Sequence, residues 1–251
     1  MSGTICITGA TAGFGESCAR RFAKEGKRMI LLARRLERLK QLQQELGGPE
    51  YIYVAQLDVR DKNAINSVFE SLPKDFEEIE LLINNAGLAL GLESAPEANL
   101  DDWEVMIDTN IKGLIYCTRQ LLPGMVRRKK GYIINIGSTA ANWPYPGGNV
   151  YGATKSFVQQ FSRNLRADLL GTGIRVTDIE PGLAETEFSI VRFKGDKKRA
   201  SQVYQGTQAL TGEDIAEIAW WLFHLPQHVN VNTLEVMPTC QAWGPLAIER
   251  K

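Results

Sequence analysis

Apolar residues fall along this chain in two alternating rhythms. Continuous apolar runs of strand length are TICIT, RMILLA, YIYVAQLDV, IELLINN, YIINIGS, IRVTDIE and NTLEVMP. Between them, apolar positions recur at helical spacing over 13–26, 36–46, 62–72, 100–128, 149–170 and 213–225. Strands that are apolar throughout are covered on both faces, which suits a parallel sheet. The alternation predicts the α/β class: one doubly wound domain over 1–251, with a seven-stranded, mostly parallel sheet and helices on both faces. Two segments stand outside the rhythm. The stretch 185–210 is long for a connection in a compact domain and reads as a substrate loop or lid. The tail at 239–251 is apolar, and Trp243 in it reads as an anchor on a neighbouring subunit.

Composition narrows the function classes. Lys+Arg and Asp+Glu both number 29, so the net charge is zero. A general affinity for nucleic acid or anionic membrane needs a basic surplus, and neither partner is expected. The basic clusters at 127–130 and 194–199 read as solvated helix ends or loops. No apolar run reaches the ~20 residues that span a bilayer, and MSGTICITGA has no basic leader. Cys6, Cys18, Cys117 and Cys240 are scattered without metal-type spacing, and His224 and His228 lack a third ligand nearby. Reduced thiols, a cytoplasmic location and no metal are the expectation.

Candidate chemistry begins at TGATAGFG, which follows the first strand and opens a helix. Gly9, Gly13 and Gly15, with Thr11 and Phe14 between them, form a glycine-rich turn at a helix N-terminus. Such a turn lets the backbone approach a pyrophosphate, and the free N–H groups and dipole of the helix favour the anion. The second strand ends at Ala33, where a fold that prefers NAD usually carries an acid for the ribose 2′-hydroxyl. Here Arg34 and Arg35 follow instead. A guanidinium makes forked, charge-assisted bonds to a 2′-phosphate, so the cofactor is read as NADP(H).

NVYGATKSF places Tyr151 and Lys155 one turn apart on one helix face. Asp58-Val59, NNAG at 84–87, Asn110, Ser138, this Tyr-x-x-x-Lys and Pro181-Gly182 follow the glycine loop in order. Together they resemble the short-chain dehydrogenase/reductase family, whose fold is Rossmann-like. The resemblance implies that Tyr151 is the catalytic acid/base and that Lys155 lowers its pKa and holds the nicotinamide ribose. It implies that Ser138 holds the substrate oxygen. It places Asn110 at a local break in a helix, with a water relaying protons to Lys155. Asp58 and Val59 would border the adenine, and Asn85, Ala86 and Gly87 the adenosine ribose. Pro181, Gly182 and Thr186 would flank the carboxamide, with a wider gap before Thr186 than the family often shows. The family also implies a homotetramer, a dimer of dimers paired through 100–128 and 149–170, where Val158, Phe161, Leu165 and Leu169 form an apolar face.

TEFSIVRFKGD, NWPYPGGNVYGATK and VNTLEVMP resemble a narrower group, the bacterial NADP-dependent 3-hydroxy acid dehydrogenases, which have sulfoacetaldehyde reductases as close relatives. The implied substrate is a small carbonyl or alcohol carrying a carboxylate or sulfonate, such as malonic semialdehyde, a short 3-hydroxy acid, or sulfoacetaldehyde. Such an anion needs a cation, and Arg192, between Val191 and Phe193 in the substrate loop, is the candidate. Trp143, Tyr145 and Phe193 are read as narrowing the pocket. Two alternatives remain: a reductase of larger carbonyls, and a non-catalytic NADP(H)-binding sensor.

Overall fold

The computed structural model describes residues 3–244 and 248–250. The seven expected strands form one sheet. They are β1 (Thr4–Thr8), β2 (Met29–Ala33), β3 (Ile52–Gln56), β4 (Ile79–Asn84), β5 (Gly131–Ile136), β6 (Ile174–Pro181) and β7 (Thr233–Val236). Their order is β3-β2-β1-β4-β5-β6-β7 and every neighbouring pair is parallel. The helices follow the predicted segments: α1 (Gly13–Ala23), α2 (Leu36–Glu45), α3 (Lys62–Glu70), α4 (Leu100–Ile107), α5 (Leu114–Arg128), α6 (Asn149–Asp168), α7 (Phe188–Arg192), α8 (Lys197–Tyr204) and α9 (Gly212–His224).

Strand alternation builds two cores. Ile5, Ile7, Met29 and Leu31 point to one face and meet Cys18 and Phe22 of α1, Leu39 of α2 and Ile215 of α9. Cys6, Ile30 and Leu32 point to the other and meet Ile65 of α3, Cys117 and Met125 of α5 and Leu165 of α6. Successive strand residues face opposite sides, so an unbroken apolar run is what a doubly covered strand requires. β1 lies between β2 and β4. The chain therefore reverses its winding direction at β1–β4, and the carboxyl ends of these strands flank the crevice where such sheets bind ligands.

The structure adds detail to four expectations. The helix expected at 100–128 is two helices joined by a π-helical turn, Asp108–Gly113. The turn packs tightly on the end of the β3 connection, where a Cβ at Gly113 would lie 2.5 Å from a Val59 methyl. The stretch 185–210 holds two short helices, α7 and α8, of 5 and 8 residues. Part of the expected apolar face of α6 serves its own chain, because Val158, Leu165 and Leu169 are buried, while Phe161 packs on the core only partly buried. In the tail, Trp243 stacks edge-on against Trp143 of the same chain at 6.2 Å and donates to Glu235 at 2.6 Å. Residues 245–247 and 251 of that tail lie outside the described residues.

Cys6, Cys18 and Cys117 are buried free thiols, and burial raises the pKa of each. His224 lies in the last turn of α9, with Nδ1 2.8 Å from the Trp220 carbonyl. Among the described residues no His/Cys/Asp/Glu cluster could hold a metal, and no helix is long and apolar enough to cross a membrane.

Candidate active site

A cavity of about 300 Å³ opens along the carboxyl edge of the sheet. At one end lie Arg34, Arg35, Asp58 and Val59; at the other lie Ser138, Tyr151, Lys155, Pro181 and Gly182. Between them run the glycine loop, with Gly9, Thr11, Gly13 and Phe14, and the segment Asn85, Ala86 and Gly87. The fold thus brings together residues as far apart in sequence as Gly9 and Gly182.

The glycine loop is shaped for a close approach. Gly9 and Gly13 adopt φ of 67° and 51°, a left-handed backbone that favours glycine. Asn85 braces the loop by donating to the Thr8 and Gly9 carbonyls, both at 3.0 Å. Gly15 has a different role from the one expected, because it does not line the cavity. A Cβ there would lie 2.4 Å from Asn85 Nδ2 and 2.5 Å from the Gly9 carbonyl oxygen, so it lets α1 pack under the loop. Thr186 does reach the cavity despite its wider spacing from Pro181-Gly182, and its side chain lies against Gly13.

The two arginines after β2 differ. Arg34 lies near enough to Asp58 to help hold its carboxyl below the usual range, after the larger effect of the Arg60 fork. Arg35 is fully engaged. Its Nε and Nη2 donate to the hydroxyl and carbonyl of Thr11 at 3.1 and 2.8 Å, and its Nη1 pairs with Glu187 at 2.8 Å. Arg38 holds the other oxygen of Glu187 at 2.6 Å.

At the opposite end the ionisable groups are stripped of water. Tyr151, Lys155 and Ser138 are less than 10% exposed. Ser138 sits just beyond β5, and its Oγ accepts from the Ala140 N–H at 3.1 Å. Burial pushes the Tyr151 phenol up to about 12; Tyr145 adds to this, while the Ser138 hydroxyl and Arg192 pull it down. The lowering expected from Lys155 is absent. Its Nζ lies 5.9 Å from the Tyr151 ring centroid and donates to the Ile136 carbonyl at 2.7 Å. Burial brings Lys155 itself down to about 8, opposed by Asp178. In so dry a site desolvation is the largest influence on both groups.

Asn110 lies in the π-helical turn, where the family pattern put a break. Its Oδ1 accepts from Leu88 N–H at 2.9 Å, and its Nδ2 donates to the Leu88 carbonyl and to Thr154 at 2.8 and 3.0 Å. It does not line the cavity, yet Asn110 Oδ1 and Lys155 Nζ both border Gly87, at 3.3 and 3.6 Å from where a Cβ would stand.

Arg192 ends α7 and faces inward. Its guanidinium lies 5.2 to 5.6 Å from the ring centroids of Tyr151, Phe188 and Tyr145. Its Nη2 donates to Tyr145 Oη at 2.5 Å, and its Nε is buried without a partner among the described residues. Trp143, Tyr145 and Phe193 do not line the cavity: Trp143 bonds to Glu235, Tyr145 accepts from Arg192, and Phe193 lies under Arg199. Phe188 and Val191 take that place.

The site residues that sequence reasoning missed are Glu187, Arg38, Phe188 and Asp178. Arg38 follows Arg35 by one helical turn, which was a usable signal. Asp178 was a second one: an acid inside the strand run IRVTDIE. It is fully buried, and burial and Glu180 raise it to about 8 against the pull of Lys155. The pairing of Glu187 with residues about 150 positions away leaves no trace in local spacing.

A family model for the short chain dehydrogenases matches residues 3–197. The chain belongs to this family. It is 59% identical over 248 residues to the NADP-dependent 3-hydroxy acid dehydrogenase of Escherichia coli strain K12, covering 98% of this chain and 99% of that protein. It is 52% identical over 251 residues to sulfoacetaldehyde reductase 2 of Chromohalobacter salexigens, covering all of both. A solved closed form of serine dehydrogenase complexed with NADP+ superposes with a TM-score of 0.95 at 59% identity, over 99% of this chain and 100% of that one.

The cavity fits NADP(H): a left-handed glycine turn for the phosphates, arginines in place of an acid after β2, and a buried Ser–Tyr–Lys group at the far end. When bound, the cofactor supplies or accepts the hydride. A phenol held near 12 is protonated at neutral pH and can donate to a carbonyl oxygen.

Proposed function

We propose that this protein is an NADP(H)-dependent oxidoreductase interconverting a small anionic carbonyl and its alcohol, either a short 3-oxo/3-hydroxy acid or sulfoacetaldehyde and isethionate. In reduction Tyr151 gives its proton to the substrate oxygen, which Ser138 holds beside it. Lys155 orients the nicotinamide ribose and returns a proton through the Asn110 side of Gly87. Arg34 and Arg35 read the 2′-phosphate, and Asp58, Val59, Asn85, Ala86 and Gly87 line the adenosine. Pro181, Gly182 and Thr186 border the carboxamide. The relatives named above support this reading, and both kinds of substrate among them carry a negative charge.

Arg192 carries the substrate assignment. A partly buried guanidinium with an unpartnered Nε, held among three aromatic rings beside Tyr151, lacks a counter-anion in the protein itself among the described residues. Lys194 is no substitute, because it is exposed and paired with Asp102 at 2.7 Å. A carboxylate or sulfonate two or three bonds from the reacting carbon would satisfy Arg192. The test is NADPH oxidation against malonic semialdehyde, sulfoacetaldehyde and propanal. Turnover confined to the two anionic aldehydes is expected; a preference for propanal or for bulky carbonyls would reject the assignment. The homotetramer rests on the family resemblance and on the half-buried Phe157–Phe161 stack on α6. The cytoplasmic assignment rests on the buried free thiols, which suit a reducing compartment.

A further inference from the structure

The lid and the adenosine end of the cavity are tied together by one carboxylate. Glu187 immediately precedes α7, the short helix that carries Phe188 and Arg192 to the catalytic end. Its two oxygens are divided between two guanidiniums, Oε2 on Arg35 at 2.8 Å and Oε1 on Arg38 at 2.6 Å. Arg35 already uses Nε and Nη2 on Thr11, so its Nη1 is the nitrogen spent on Glu187. The Thr11 contacts are the more buried ones, and the Glu187 side chain is 38% exposed. Of the partners of Arg35, Glu187 is therefore the easiest to displace.

A ribose 2′-phosphate carries about two negative charges and seeks the same forked donors. A carboxylate and a phosphate cannot both hold one pair of guanidiniums without repelling each other. We propose that Glu187 is a specificity-determining latch, holding the lid to Arg35 and Arg38 and competing with the 2′-phosphate of NADP(H) for them. This rests on the assignment of the 2′-phosphate to Arg35 made above. NADP(H) binding and the latch are then negatively coupled, and NAD(H), which lacks the phosphate, leaves the latch in place. Arg38 becomes a third 2′-phosphate ligand once Glu187 has left. The network holds the Glu187 carboxyl below the usual glutamate range despite partial burial, so the latch is charged at neutral pH.

The test compares wild type with Glu187→Gln, which keeps the side-chain shape. Dissociation constants are measured without substrate for NADPH, NADH, adenosine 2′,5′-bisphosphate and adenosine 5′-monophosphate. Loss of two exposed, screened ion pairs predicts NADPH and the bisphosphate binding about three- to tenfold more tightly. NADH and the monophosphate should be unchanged, and the gain should shrink in high salt. Weaker or unchanged NADPH binding by the variant, or equal gains for NADPH and NADH, overturns the latch. Arg35→Ala separates the two layers. If it leaves the NADPH-to-NADH preference intact, the 2′-phosphate assignment fails and the latch with it. If it removes the preference while Glu187→Gln does nothing, only the latch fails.

Discussion

The two ends of the cavity use charge in opposite ways. At the adenosine end, Arg35, Arg38 and Glu187 are paired, forked and 38–51% exposed. At the catalytic end, Tyr151, Lys155 and Asp178 are buried, and each has its proton affinity moved by burial more than by any neighbour. Exposed charges are screened and exchange partners cheaply, which suits recognition of a ligand that comes and goes. Buried ones cannot ionise without cost, which suits control of where a proton sits. Arg192 stands between the two regimes, as a charge that is partly buried yet has no anion of its own among the described residues.

Breaking the catalytic end should give the largest effect. Tyr151→Phe should keep the fold and NADPH binding and lose at least ~100-fold in kcat, the scale of general acid catalysis. Near-wild-type turnover would remove the phenol from the mechanism. Arg192→Ala comes next. Truncating the cationic half of a desolvated pair should cost about 2–4 kcal/mol for anionic aldehydes and little for propanal. The informative quantity is the ratio of kcat/KM for the two classes, and an unchanged ratio means the anion is held elsewhere.

At the adenosine end, uncharged replacements of Arg34 and Arg35 together should weaken NADPH at least about tenfold more than NADH, since each charge-assisted bond contributes ~1.5–3 kcal/mol. Equal losses in direct titrations would show that the arginines only support the fold. The smallest effect sharpens the contrast and concerns stability. The folded-state pKa of Lys155, about 8, lies below the ordinary 10.5, so the unfolded chain holds the extra proton between those values. The stability that Lys155 contributes is therefore present above pH 10.5 and lost as pH falls through 8. Lys155→Met should raise the Tm of the cofactor-free protein at pH 7 by about 2–8 °C, for about 1–3 kcal/mol of relieved desolvation, while lowering NADPH affinity and turnover. A Tm that falls would mean that the bond to the Ile136 carbonyl outweighs the buried charge.

The layers of this protein and the local elements of its candidate site are legible in the chain alone. Short unbroken apolar runs such as RMILLA, alternating with helix-length amphipathic segments, read as strands covered on both faces, so the parallel sheet is legible in the sequence. The glycine turn, the absent acid after Ala33 and the Tyr151–Lys155 spacing were legible for a similar reason. Each is a local requirement of backbone or helix geometry and leaves a local mark. Tertiary structure alone decided the rest. Which way the Lys155 ammonium points depends on the Ile136 carbonyl, and how far Tyr151 is desolvated depends on Phe188 and Arg192 closing from a distant segment. The apolar face of α6 could have met another subunit or its own sheet, and periodicity is the same in both cases; packing spent Leu165 and Leu169 on the core. The join between Glu187 and Arg35 spans 152 positions. Electrostatic partners are chosen by distance in space and by exclusion of water, and neither is written in the spacing of residues along a chain.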